Sequence, residues 1–255
     1  MAKIIAISNQ KGGVGKTTTT ISLGVALAKQ GKKVLLVDLD PQANLTMSLG
    51  YHNPDELPES IATILKSEIA GIQSDCILTK NGVDFIPSSI ELSELENILI
   101  NVMSRENVLK HFLSRYKEAY DYILIDCLPS LNILTVNALN ASDEVIIPVQ
   151  AQYLSAKGLE LLLSTIKKVS LNLNSKLKIA GIVITMLDGR ANFQKEVVNV
   201  IENSYGKHIK VFESKIPMSV KVSEVQSQGA DIFEIKNNKV ARGYESLARE
   251  VIENE

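Results

Sequence analysis

Cysteine and histidine are scarce in this chain, and neither is grouped. Cys76 and Cys127 are the only cysteines among 255 residues, and His52, His111 and His208 the only histidines. None of the five stands at metal-ligand spacing, so no zinc module and no oxidised framework is implied. All five read as structural or surface residues. No apolar run reaches the ~18 residues needed to cross a bilayer. The opening "KIIAIS" is too short for a signal peptide and runs straight into a glycine-rich loop, so a cytoplasmic location is expected. Charge of one sign is also missing. The formal net charge is -2, and any contact with nucleic acid has to come from a local patch. There is no linker, internal repeat or low-complexity tract. One domain over residues 1–255 is therefore expected.

What is present is a core. Hydrophobic residues make up 45% and charged residues 22% of the chain, the proportions of a globular protein. Short runs rich in Ile and Val recur: "KIIAIS", "KVLLVDLD", "VDFIPS", "YDYILID", "EVIIPVQ", "IAGIVITM" and "KVFESKIP". They are nearly continuous in apolar character, as strands buried on both faces must be. Amphipathic segments lie between them. Leu159, Leu162, Leu163, Ile166 and Val169 share one helical face, as do Val108, Leu109, Phe112 and Leu113. The alternation predicts an α/β fold with a mostly parallel, doubly wound sheet and helices on both faces. Ligands in such sheets bind at the carboxyl ends of the strands.

Three of those ends carry chemistry. The first runs into "NQKGGVGKTT", which departs from the usual phosphate-loop pattern, G-x-x-x-x-G-K-[ST], because Gln10 stands where the first glycine belongs. Gly12, Gly13 and Gly15 allow a tight curl whose N–H groups point inward as an anion nest. A helix beginning near Lys16 adds the positive end of its dipole. Lys16 is expected on the β- and γ-phosphates of a nucleotide and the Thr17 hydroxyl on Mg²⁺. The second end, "VDLDPQ", carries Asp38 and Asp40, which strand alternation puts on one face. The expected division places Asp38 near the metal's water shell and Asp40 beside an attacking water, with Pro41 stopping the strand. The third, "YILIDCLPS", is a run of apolar residues followed by Asp126, the pattern of a strand whose aspartate holds Mg²⁺ through water.

Together with "VIIPVQ", "ITMLDGR", "IPMSVKVSEVQSQG" and "ARGYESLAREV", these segments resemble the ParA/MinD group of deviant Walker ATPases, and within it the ParA/Soj branch of chromosome and plasmid partition proteins. The likeness covers nearly the whole chain in the family's order. It implies a P-loop NTPase fold and ATP hydrolysis with ATP and Mg²⁺ as cofactors. The nucleotide is expected on Lys11, Gly12, Gly13, Val14, Gly15, Lys16, Thr17, Thr18 and Asp38. Lys11 is the family's signature lysine, which crosses to the nucleotide of a second copy in the ATP-bound homodimer. Met186 and Pro217 are expected to wall the adenine, with Ser219 and Val220 close by.

The resemblance further implies binding to nonspecific double-stranded DNA, a ParB-type partner that stimulates hydrolysis, and a nucleoid-associated location. The matching cations are Arg190 and Lys221, with Lys236, Lys239 and Arg242 as weaker candidates. Two departures stand out. Met218 occupies a position where relatives often carry arginine, which is expected to weaken DNA binding. Leu128 replaces a proline beside the metal site, which is expected to loosen that loop. One rival reading is a metabolic enzyme of the same fold, such as an iron–sulfur reductase ATPase or a ligase-like synthetase. Neither cysteine sits in the cluster-ligating pair that such a reductase needs. The other is a MinD-like membrane or other cargo-positioning ATPase, of which the membrane form is the sharper test. That form needs a basic amphipathic C-terminal helix, whereas this chain ends "SLAREVIENE", which is net acidic.

Overall fold

The computed structural model describes residues 1–150, 156–188 and 192–254. Eight strands form one sheet: β1 (Lys3–Ile7), β2 (Val34–Leu39), β3 (Leu78–Lys80), β4 (Val83–Ile86), β5 (Tyr122–Cys127), β6 (Glu144–Gln150), β7 (Lys178–Leu187) and β8 (Val211–Pro217). The order across the sheet is β3-β4-β2-β5-β1-β6-β7-β8. All neighbours run parallel except β3, which pairs antiparallel with β4. The helices are α1 (Lys16–Lys29), α2 (Asn44–Ser48), α3 (Ile61–Ile69), α4 (Leu92–Ile100), α5 (Val108–Ser114), α6 (Ile133–Ala141), α7 (Ala156–Asn172), α8 (Asn192–Tyr205), α9 (Val220–Ser227) and α10 (Lys239–Glu253).

Strand periodicity splits the core into two layers. Ile4 and Ala6 of β1 face one way, with the apolar sides of α3 to α8; Ile5 and Ile7 face the other, with α1, α2, α9 and α10. The same alternation carries through β2, where Leu35 and Val37 oppose Val34 and Leu36. Both faces are covered, so the inner strands have no polar side to offer, and their charged residues are confined to the ends. Leu159, Leu162, Ile166 and Val169 of α7 are buried with Val108, Leu109, Phe112 and Leu113 of α5 in the first layer, as their spacing predicts.

The predicted doubly wound sheet is present, and all seven predicted strands exist. The eighth, β3, was not anticipated. It is three residues long, "LTK", and mostly exposed, so it has neither the apolar run nor the alternation that marks a strand. It caps the β4 edge in the opposite direction, a common way to finish a parallel sheet.

Near the carboxyl ends two loops touch backbone to backbone. Gly229, just beyond α9, has φ +66, and a Cβ there would lie 2.5 Å from the Gly50 Cα. Gly50 itself has φ +97. Gly229→Ala combines a left-handed backbone with an overlap that no flexible side chain can relieve. It should cost about 2–4 kcal/mol of stability, read as a lowered denaturant midpoint. A variant as stable as the wild type would show that this contact does not constrain the two loops.

Candidate nucleotide and phosphate site

The sheet order sets β2, β5 and β1 side by side, and their carboxyl ends open onto one cleft of about 410 Å³. Gly12, Gly13, Gly15, Lys16, Thr17, Thr18 and Asp40 line it, and Met186 lies at its edge. Gly13 and Gly15 have φ +72 and +84, so the curl of the loop depends on residues without a Cβ. Val14 is buried beneath, and its carbonyl accepts a 2.8 Å bond from the Thr185 hydroxyl of β7. At the start of the loop Asn9 accepts from the Lys11 N–H at 3.0 Å and donates to the Pro148 carbonyl of β6 at 2.7 Å. Asn9 and Thr185 thus fasten the loop to the sheet from two sides. Neither was anticipated, because the fastening appears only once the strands are in order.

Lys16 is the cation of the cleft. Its ammonium donates to the Lys11 carbonyl at 3.2 Å. Burial lowers its pKa, while Asp126, Cys127 and Asp40 act in the opposite direction. Asp38 and Asp126 are register partners on β2 and β5, and both are shut off from water. Burial lifts Asp126 to about 8, and the neighbouring Asp38 pushes it the same way, against the Thr17 hydroxyl and Lys16. Asp38 rises to about 7, again chiefly through burial. The buried thiol of Cys127 is pushed up to about 12, which fits the inert role expected of it.

The two aspartates of "VDLDPQ" part company. Asp40 lines the cleft, and one of its oxygens accepts from the Gln42 N–H at 2.9 Å. Asp38 lies behind, its carboxylate taken by the Thr46 hydroxyl (2.7 Å), the Thr46 N–H (2.9 Å) and the Asp40 N–H (3.2 Å). The Thr46 hydroxyl in turn accepts from the Ser88 N–H at 3.0 Å. Asp38 therefore fastens the 40–46 segment to the sheet, and it does not line the cleft. It is the penultimate residue of β2, as Asp126 is of β5.

The residues fit Mg²⁺. Asp126 Oδ2 is buried without a hydrogen-bond partner, and Thr17 presents its hydroxyl close by. No group of three or more metal-ligating side chains occurs among the described residues. One carboxylate and a hydroxyl, completed by the phosphates of a nucleotide, is a usual ligand set for Mg²⁺.

A second, narrower cavity of about 60 Å³ adjoins the cleft and shares Gly15, Thr18 and Met186 with it. Met186, Pro217 and Ser219, which the resemblance sets beside the adenine, line it. Met186 has φ +53, uncommon for a residue with a side chain and frequent at ligand sites. Val220 does not line the cavity. It is 71% exposed, and Val222 forms the wall instead. Two positions along a helix turn a side chain to a different face, so Val220 stands next to the lining Ser219 without joining it.

The cations expected from the resemblance fall in two places. Lys221, Lys236 and Lys239 line one cavity of about 290 Å³, together with Met218. Arg242 borders a separate hollow with Lys215 and Arg249, balanced there by Glu213, Glu250 and Glu253. Arg190 lies outside the described residues. Leu128 is buried in the core, so packing anchors the backbone where the proline is missing. In α10 the apolar residues Val240, Tyr244, Leu247 and Val251 are all buried, which leaves that helix no apolar face to lay on lipid. Among the described residues no helix is long and apolar enough to cross a membrane.

A family model described as "AAA domain" matches residues 2–179. The sporulation initiation inhibitor protein Soj of Bacillus subtilis is 44% identical over 255 residues, covering all of both chains. The chain belongs to the ParA/Soj family. The chromosome-partitioning ATPase Soj of Treponema pallidum is likewise 44% identical, over 99% of this chain and 98% of that one. Among solved structures, cobyrinic acid a,c-diamide synthase of Mycobacterium smegmatis with a bound ATP analog and magnesium superposes with a TM-score of 0.86. It is 34% identical and covers 100% of this chain and 96% of that one.

The pKa shifts fix the sign of a pH effect for this ParA/Soj-family chain. Asp38 and Asp126 keep their protons to higher pH when folded than their ordinary value of 3.8 allows. Their contribution to stability is fully present below about pH 4 and is lost as pH rises through about 7 to 8. Without nucleotide, the melting temperature should fall between pH 5 and pH 8. Asp126→Asn should flatten that fall, measured by thermal denaturation in matched buffers. An equally steep fall in the variant would assign the proton elsewhere.

Proposed function

We propose that the chain is a Mg²⁺-dependent ATPase that works as an ATP-bound homodimer, binds nonspecific double-stranded DNA in that state and leaves it on hydrolysis. The observation that carries the reading is a shared wall. Pro217, Ser219 and Val240 line both the adenine-side cavity and the hollow that gathers Lys221, Lys236 and Lys239. A change in how the first is filled therefore bears directly on the second.

The chain's own groups divide the work. The N–H groups around Gly13 and Gly15 and the first turn of α1 receive the phosphates, with Lys16 as the counter-charge. Thr17 and Asp126 would hold Mg²⁺, which when bound neutralises charge on the phosphates. Asp40 orients the attacking water at the mouth of the cleft. Lys11 reaches the nucleotide of the second copy, where a cation acting in trans can speed phosphoryl transfer by roughly 10³ or more. A DNA-binding partner of the ParB type sets when hydrolysis occurs. The synthase name carried by the M. smegmatis structure belongs to a different chemistry. The full-length likeness to the Soj proteins and the lysine-lined hollow favour partition.

Two measurements test this. DNA affinity, read by fluorescence anisotropy on a random duplex, should be at least about tenfold tighter with ATP than with ADP and should fall steeply with salt, as counterion release requires. Reversing Lys221 and Lys236 to Glu together should abolish it. Equal affinity in every nucleotide state would overturn the switch. Lys11→Ala should still bind ATP but remain monomeric in light scattering, and an ATP-dependent dimer of that variant would remove Lys11 from the interface.

A further inference from the structure

Among the described residues, Gln226, on α9, is the one that lines the cleft and carries a buried polar atom without a partner. Its Oε1 accepts from the Thr18 hydroxyl at 3.0 Å, while its Nε2 is buried without a partner. Seven such residues occur among those described, and of the seven Gln226 is the one that lines the cleft. A buried amide donor left unpaired is costly and calls for a partner that arrives with a ligand.

The position of Gln226 says which part of the ligand. Thr18, its partner, lines both the phosphate cleft and the adenine-side cavity. A nucleotide that fills both must pass its sugar across this junction. A sugar hydroxyl both donates and accepts, so it satisfies an amide turned either way. The end of α9 is also fixed in place, since the Gly229 N–H bonds the Gln226 carbonyl at 3.0 Å and Gly229 abuts Gly50.

We propose that Gln226 hydrogen-bonds a ribose hydroxyl of the bound nucleotide and so makes α9 a sensor of the sugar. The inference rests on the ATPase reading above. Isothermal titration with Mg²⁺ and ATP, 2′-deoxy-ATP or 3′-deoxy-ATP tests it. Wild type should bind one deoxynucleotide about three- to tenfold more weakly than ATP, the worth of one hydrogen bond. Gln226→Met should bind ATP as weakly as wild type binds that deoxynucleotide, with the preference between the two lost. Gln226→Asn, one methylene short, should give the same loss and serves if the Met variant fails to fold. The assignment is overturned if wild type binds all three nucleotides alike, if the variants keep the wild-type preference, or if they weaken all three equally. Failure of the wild type to bind any of them would instead overturn the ATPase reading itself, and this inference with it.

Discussion

Two carboxyl groups held side by side in a dry interior impose the central constraint on this fold. Asp38 and Asp126 face each other across the β2–β5 pair, and burial makes the charged form of each unfavourable. Every neighbouring element answers that problem. Thr46 and the Asp40 N–H occupy Asp38, Lys16 and Thr17 lean on Asp126, and one oxygen of Asp126 remains for a cation. The pair also bears on folding, because a slip of one residue between β2 and β5 would separate the carboxyls. The favourable register has to be chosen by the apolar residues on either side, which such a slip would turn to the wrong faces.

What the sequence disclosed follows from how local the cause is. The strands of the sheet centre were readable because burial on both faces leaves a nearly unbroken apolar run. The phosphate loop was readable because its glycines, lysine and threonine act within a few residues of one another. β3 was not, since a short exposed edge strand is defined by its partner and has no pattern of its own. Val222 was missed as a wall residue for a related reason: membership in a motif does not say which face of a helix a residue takes.

The larger part of what sequence reasoning missed consists of polar side chains whose partners are distant in the chain. Thr185 meets Val14, Asn9 meets Pro148, and Gln226 meets Thr18 only after the sheet has assembled. The lysines behaved likewise. Lys221 and Lys236 look like isolated surface charges when read along the chain, yet the start of α9 and the turn before α10 bring them to one hollow. The electrostatics of the whole, at a net charge of -2, concealed that local concentration.

The contact between Gly50 and Gly229 has a consequence of another kind. Two main chains lie against each other there with no side chain between them. The gap between the 44–50 segment and the end of α9 is thus set by the thickness of the polypeptide itself. No substitution can make that gap smaller, and anything larger than hydrogen at Gly229 forces it wider. Elsewhere in the protein a distance can drift as residues are exchanged and neighbours repack. Here it is a fixed gauge, and the two walls it spaces are the ones between which the ligand must fit.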